Sequence, residues 1–421
     1  MTPDNQSRRS LDVRGLVLLA LAAVGLAVLA GWLLAPGGAG YGFSVPDPSA
    51  FFSAARLDEI DSYRSQTRLA AVASLVAGIG VLAMLAIWRG PAIRSVLDRL
   101  DRRPVLGAGA LGVLLSLAVG VVALPFSWLS FKRGRDLGLF TQDWTGWLSD
   151  QLLAAAIGAL IAGIGAILVI FFWRRFRDWF WLPASALIAV YALVTVWLWP
   201  VLVSPLFNDF TPLEDGPVRS QIERVADESG VDVGGIYVVD ASRRSRALNA
   251  YVNGIGSTKR VVIYDTVIKD LDSDELSSLI AHELGHVKSN DIYRGLGFAL
   301  LVIPLGVLFV QLATVSLARW RGDDLDGPAV IPALALFAAL AVLFIGVPGN
   351  ALSRNIEAHA DRFALDRTGD PGGMVGLQRK LTLTNLSDPD PPAAFRFIFG
   401  THPSTMQRIG AAEAYDEGPG K

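Results

Sequence analysis

The residues best equipped for chemistry lie in one short stretch, AHELGH, at positions 281–286. The chain holds only 4 histidines, and two of them, His282 and His286, fall here four residues apart. On a helix, positions i and i+4 stand one above the other on one face. The two imidazoles therefore point together, as a nitrogen clamp for a single ion. Glu283 sits one step round the helix, bordering the ion without being forced onto it. This is the H-E-x-x-H arrangement, in which neutral imidazoles hold Zn²⁺ and the carboxylate handles the proton of an activated water. Zinc brings the pKa of such a water down to about 7. The sequence contains no Cys, so thiolate sites and disulfides are excluded and any metal must be held by His and carboxylates. One Zn²⁺ per chain is expected.

A catalytic zinc needs three protein ligands and one open position. The candidates for the third are Glu357, His359, Asp361 and His402. Glu357 and Asp361 are again four apart and share a helix face, while His359 points nearly the opposite way. Either the acidic pair or His359 faces the metal, not both. The acidic face supplies a ligand and a supporting group within one turn. Glu357 is assigned as the ligand. Asp361 is assigned to hold a histidine ring by its outer N–H, which fixes tautomer and orientation.

These residues need elements to carry them. The stretch 272–290 reads as a helix, with Asp272 and Glu275 at capping-box spacing and Ile280 and Leu284 on an apolar side. The stretch 353–367 reads as a second helix. Segments 234–242 and 259–265 are rich in Val, Ile and Tyr between turn residues and read as strands.

The rest of the chain is unusually apolar. Of 421 residues, 52% are hydrophobic, with a mean hydropathy of +0.44. A bilayer-spanning helix needs roughly 20 apolar residues. Seven segments qualify, near 15–35, 69–88, 106–124, 151–172, 181–203, 296–317 and 329–347. The first is too long for a typical signal-peptide core. Trp32, Trp88, Trp128, Trp173, Trp181 and Trp320 mark span ends as an aromatic belt. A multi-pass cell-membrane protein follows, with the lipid bilayer as a partner. The net charge of −2 gives no electrostatic case for nucleic acid. The expected fold is mainly α: seven transmembrane helices with a small α+β zinc metalloprotease domain. Residues 1–204 form an amino-terminal membrane domain of five spans. Residues 205–421 form the peptidase domain, including the last two spans. Those two spans separate His286 from Glu357, and an even number of crossings returns the chain to the same side.

The chain resembles the type I CAAX prenyl endopeptidases, integral-membrane zinc metalloproteases. The likeness rests on PLFNDFTPLEDG (205–216), on DASRRSRALNAYVNGIGSTKRVVIYDTVI (240–268), on the HELGH, on SRNIEAHAD (353–361) and on THPSTMQRI (401–409). The resemblance implies that His282, His286 and Glu357 ligate zinc, that Glu283 is general base and acid, and that Asp361 supports a ligand. It implies that Asn249 borders the cleft, and that His402 and Arg408 lie near the substrate, with an oxyanion role for them. It further implies a cytoplasm-facing catalytic domain. The basic residues disagree. Arg8, Arg9, Arg14, Arg89 and Arg94 belong to a richer set on the side of the amino terminus than Arg56, Arg64, Arg68, Lys132, Arg133 and Arg135 opposite. The positive-inside rule then puts the zinc domain outside.

The expected reaction is hydrolysis of a peptide or protein substrate, lying extended beside an edge strand near 249–264. A membrane-associated or CAAX-prenylated-type substrate follows from the resemblance. Quality control of damaged membrane proteins uses the same chemistry. A seven-span transporter or scaffold with structural zinc is a different class of reading. Against it, the spans hold no ionisable residue, and Glu283 stands beside a site with three ligands rather than four.

Overall fold

The computed structural model describes residues 13–37, 43–88, 90–254, 259–322 and 325–417. Arg8, Arg9 and Arg89 of the charge comparison, and residues 255–258 of the 240–268 segment, lie outside the described residues. Among the described residues, seven helices are long and apolar enough to cross a membrane, as the sequence leads one to expect. They are α1 (Val13–Leu34), α2 (Ala54–Ile87), α4 (Pro104–Asp136), α5 (Trp144–Arg175), α6 (Trp181–Leu198), α10 (Asp291–Arg321) and α11 (Ile331–Thr368), with α3 (Pro91–Asp101) between α2 and α4. Leu18, Val76, Val121 and Leu160 are each more than half exposed. Large apolar side chains exposed along whole helices mark a surface that faces lipid.

Lipid offers no hydrophobic drive between helices, so close backbone approach at small residues holds such bundles together. Gly112 of α4 shows it: a Cβ there would stand 2.5 Å from the Ala162 carbonyl oxygen of α5. On the other side of the bundle, Ala27 and Ala30 of α1 pack on Phe298, Val302 and Ile345 of α10 and α11.

Three helices run well past their apolar stretches. The first four turns of α2 and the facing ends of α4 and α5 extend beyond the expected spans and grip the peptidase part. Arg64 donates to the Asn385 and Leu386 carbonyls, and Arg68 pairs with Asp388. Arg244 makes a two-pronged bond to Asp150 of α5, at 2.8 and 2.9 Å. Helix α11 also differs from expectation. The seventh span and the 353–367 helix are one continuous rod of 38 residues with Pro348 inside it, so the carboxylate face is carried directly by a membrane helix.

The peptidase part has a four-stranded sheet of β1 (Phe210–Pro212), β2 (Ile236–Val239), β3 (Ala250–Asn253) and β4 (Arg260–Tyr264), in the order β1-β2-β4-β3. β2 and β4 are parallel, and the outer pairs are antiparallel. β3 is therefore an edge. The sheet packs with α7 (Pro217–Ser229), α8 (Asp265–Asp270), α9 (Ser273–Lys288) and α12 (Pro371–Thr384) around one core that includes Ile222, Val261, Ile263, Ile280, Leu284, Leu365 and Leu377. Each fully buried aliphatic side chain of this kind contributes about 1.5–3 kcal/mol. Helices α13 (Ala393–Phe399) and α14 (Thr405–Glu417) follow α12.

Candidate metal centre and active site

Helix α9 starts where its sequence says it should. Asp272 accepts from the Asp274 and Glu275 backbone N–H groups, and Glu275 reaches back to the Asp272 N–H at 3.1 Å. A cap of this kind is worth about 1 kcal/mol. Ile280 and Leu284 anchor one face in the core, which turns His282 and His286 toward α11. The two helices cross at Gly285. A Cβ there would lie 3.3 Å from the Ala360 Cα and 3.2 Å from the Phe363 ring, so the glycine permits the close crossing.

The crossing brings one ligand atom each from His282, His286 and Glu357 within 4.8 Å of one another. The Nε2 atoms of the two histidines are 3.2 Å apart. Glu357 oxygens lie 3.3 Å from His282 Nε2 and 3.7 Å from His286 Nε2. Ligand bonds of 2.0–2.2 Å in a tetrahedron put neighbouring ligand atoms about 3.4 Å apart, and the three spacings bracket that value. The Glu357 Oε2 atom is buried without a hydrogen-bond partner. A buried carboxylate oxygen left this way is costly unless a cation takes it. The donor set and its geometry fit a zinc-sized ion.

Behind the rings stand two carboxylates. Asp361 Oδ1 lies 2.9 Å from His282 Nδ1, and Asp291 Oδ2 lies 3.0 Å from His286 Nδ1. Sequence reasoning found the first and missed the second. The turn from α9 to α10 is only Ser289 and Asn290, and Asn290 takes the left-handed conformation, φ 56°, which asparagine tolerates better than most residues. That turn swings Asp291 back onto His286. Arg408 clasps Asp361 from α14, with Nε 2.9 and 3.1 Å from its two oxygens. Its guanidinium therefore faces Asp361 rather than only the open cleft. His359 points away, as its helical position dictates, and meets Ser289 Oγ at 3.1 Å.

Glu283, Asn249, His402 and Arg408 line one cavity of about 280 Å³ together with the three clustered residues. Burial pushes the Glu283 carboxyl above its ordinary pKa, against the pull of the two imidazoles. His402 Nε2 stands 3.3 Å from Glu357 Oε1. His402 sits at the open mouth of the cleft, and the surrounding protein still holds its imidazole below its ordinary pKa, mainly through burial. At His282 burial works against the charged ring, but the Asp361 carboxylate bonded at Nδ1 and the Glu357 carboxylate beside Nε2 prevail, and its pKa is pushed up to about 10. Without a metal the pocket thus gathers a proton where a cation would sit. Asn249, Ala250 and Tyr251 form the wall on the β3 side, and burial pushes the Tyr251 hydroxyl up to about 12.

Residues 212–416 match the model of peptidase family M48, and residues 49–209 match the model described as the CAAX prenyl protease amino-terminal region with five membrane helices. The Bacillus subtilis (strain 168) protein named uncharacterized metalloprotease YhfN is 33% identical over 313 residues, covering 73% of each chain. The chain belongs to peptidase family M48. The family resemblance read from the sequence is borne out, and the protein is a multi-pass membrane metalloprotease. CAAX prenyl protease 1 of Saccharomyces cerevisiae is 34% identical over 328 residues, covering 73% of this chain and 72% of its own. Among solved structures, that of S. mikatae Ste24p superposes with a TM-score of 0.77 at 21% identity, covering 95% of this chain and 98% of the other. That likeness shows a shared fold over nearly the whole of both chains. Family M48 membership implies a metal, and among the described residues His282, His286 and Glu357 form a grouping that fits one.

Proposed function

We propose that the protein is a zinc endopeptidase that cuts membrane-associated substrates, with Glu283 as general base and acid. The observation that carries this reading is the placement of Glu283 on the cavity wall, one residue from the converging Nε2 atoms of His282 and His286. His282, His286 and Glu357 would hold the zinc. The ion's contribution when bound is to polarise a water and the scissile carbonyl. Glu283 takes the proton from the attacking water and returns it to the leaving amine. Asp361 and Asp291 orient the two imidazoles, and Arg408 fixes Asp361. His402 accepts at Nδ1 from the Thr401 hydroxyl, 2.9 Å away, in the tautomer that leaves an Nε2–H facing the centre. That N–H would donate to the carbonyl oxygen as it gains charge.

The substrate lies along the free edge of β3, pairing backbone to backbone, with Asn249 beside it. CAAX-type prenylated substrates are supported by the names of relatives such as the yeast protein. Membrane-protein quality control by the same residues is the second reading, supported by the seven spans themselves. We propose a two-part chain, 1–204 and 205–421, with the catalytic part facing the cytoplasm as the family likeness implies. A reporter fused after residue 421, active only in the cytoplasm, tests the orientation.

The chemistry is tested by Glu283→Gln in the purified full-length protein. An amide cannot take the water's proton, so zinc and fold should persist while peptide hydrolysis falls by orders of magnitude. Near-normal turnover in this variant removes Glu283 from the reaction.

A further inference from the structure

Arg56, Ile60, Arg64 and Arg68 are spaced four apart on α2, so they share one face of the helix. All four meet the end of α12 and the turn after it. Arg56 donates to the Leu383 carbonyl at 2.9 Å, and Ile60 packs in one cluster with Leu386. Arg64 donates to the Asn385 carbonyl at 2.8 Å and to that of Leu386, and Arg68 pairs with Asp388. Leu386 is buried and left-handed, φ 48°. A leucine keeps that conformation only where its surroundings impose it, and the face of α2 does so here. The turn presents the Asn385 side chain to the strand side. Its Oδ1 accepts from the Leu248 N–H at 2.8 Å, and its Nδ2 donates to the Leu248 carbonyl at 3.0 Å. A side-chain amide thus pairs with Leu248 as a neighbouring strand residue would.

Leu248 stands immediately before Asn249 and β3. The Asn249 carbonyl accepts from the Tyr264 N–H of β4 at 3.1 Å, so the backbone groups of Asn249 face into the sheet. Those of successive strand residues alternate in direction. The N–H and C=O groups of Leu248, Ala250 and Val252 therefore point the other way, to the free side of β3. Asn385 fills the first pairing position on that side, and Ala250 and Val252 present the next two. We propose that Asn385, held by Arg64, is a positioning residue: it closes the free edge of β3 at Leu248 and so fixes where along that edge a bound peptide begins to pair. The proposal rests on the reading of β3 as the substrate edge. A peptide added to an edge takes its register from the backbone groups left open, and a slip by one residue turns every side chain to the other face. With Leu248 already paired, registers that use it are excluded, and one peptide bond is favoured at the metal centre. Helix α2 crosses the membrane, so the membrane part sets substrate register through Arg64 as well as anchoring the chain.

The test uses the full-length, zinc-loaded protein in detergent and calorimetric binding, which needs no turnover. Acetohydroxamate reports on the metal centre alone. A tetrapeptide hydroxamate reports on the edge as well, and copies of it N-methylated at each amide in turn report which amides pair with β3. In the native protein the peptide should bind more tightly than acetohydroxamate, and methylation should weaken it at alternate amides only. Asn385→Asp keeps the size of the side chain but sets an oxygen against the Leu248 carbonyl. This variant and Asn385→Ala should weaken the peptide about tenfold, the effect of losing one or two backbone hydrogen bonds, and should flatten the alternation. Arg64→Lys, which lacks the planar fork that spans two carbonyls, should act in the same direction in smaller measure. Acetohydroxamate affinity and zinc per chain should not change in any of them. Equal weakening of acetohydroxamate and the peptide gives Asn385 a role in the fold alone and overturns the proposal. So does a native methylation pattern that persists in both Asn385 variants. A native protein with no alternation removes β3 as the substrate edge and the proposal with it, while the effect of Glu283→Gln on hydrolysis tests the chemistry separately.

Discussion

The Nε2 atoms of His282 and His286 face each other at 3.2 Å, while the Nδ1 atom of each ring is held by a carboxylate. An Nδ1–H donated to Asp361 or Asp291 leaves a lone pair on Nε2. Two lone pairs at that separation repel unless a cation lies between them. In the proposed zinc site the carboxylates behind the rings would prepare the two imidazoles from the rear, and Glu357 would complete the ligand set from α11.

This arrangement makes Asp361 and Asp291 equivalent in kind. Asp361→Ala and Asp291→Ala should each lower zinc affinity or turnover by roughly 10- to 100-fold, the usual cost of removing a carboxylate that orients a ligating imidazole. Titration of the apo-protein with zinc measures it. An Asp291→Ala protein with native affinity would show that His286 needs no such support.

Gly285 sets the distance between the two ligand-bearing helices. A methyl group at this position must push against the Ala360 backbone and the Phe363 ring. Gly285→Ala should destabilise the protein by about 1–3 kcal/mol, the range for overpacking a close contact, and should weaken zinc binding though no ligand is changed. Thermal unfolding with and without added zinc reads both effects. An unchanged midpoint would mean that α9 and α11 have slack at the crossing.

His402 stands within reach of Glu357 and faces the cleft. If its Nε2–H stabilises the developing negative charge, His402→Ala should keep zinc and lose about 10²- to 10³-fold in kcat, as removal of such a donor does elsewhere. Loss of zinc from this variant would make His402 a ligand instead.

Much of the site could be read before the fold was known, because it is written in helical spacing. His282 and His286 repeat at four, as do Glu357 and Asp361, and the Asp272–Glu275 box marks the start of α9. Asp291 escaped because no period links it to His286; it begins a different helix and reaches the ring through the left-handed turn at Asn290. β1 and β3, of 3 and 4 residues, are too short for alternation to stand out. Hydropathy located the spans but not the lengths of α2, α4 and α5. Their extensions carry Arg64 and Arg68, which bind the peptidase part, and Arg133, which reaches Ser62 of α2. In α11 the polar onset near Pro348 resembled a boundary, yet the helix runs on and carries Glu357 on the same rod.

The assignment of Glu357 as third ligand is the claim on which the account turns, and bound zinc per chain tests it most directly. After dialysis the native protein should keep about one zinc, as should His359→Ala and His402→Ala. Glu357→Ala leaves two imidazoles to hold the ion and should lose it. Full zinc in Glu357→Ala, with loss from His359→Ala or His402→Ala, would contradict the account and place the site on three histidines.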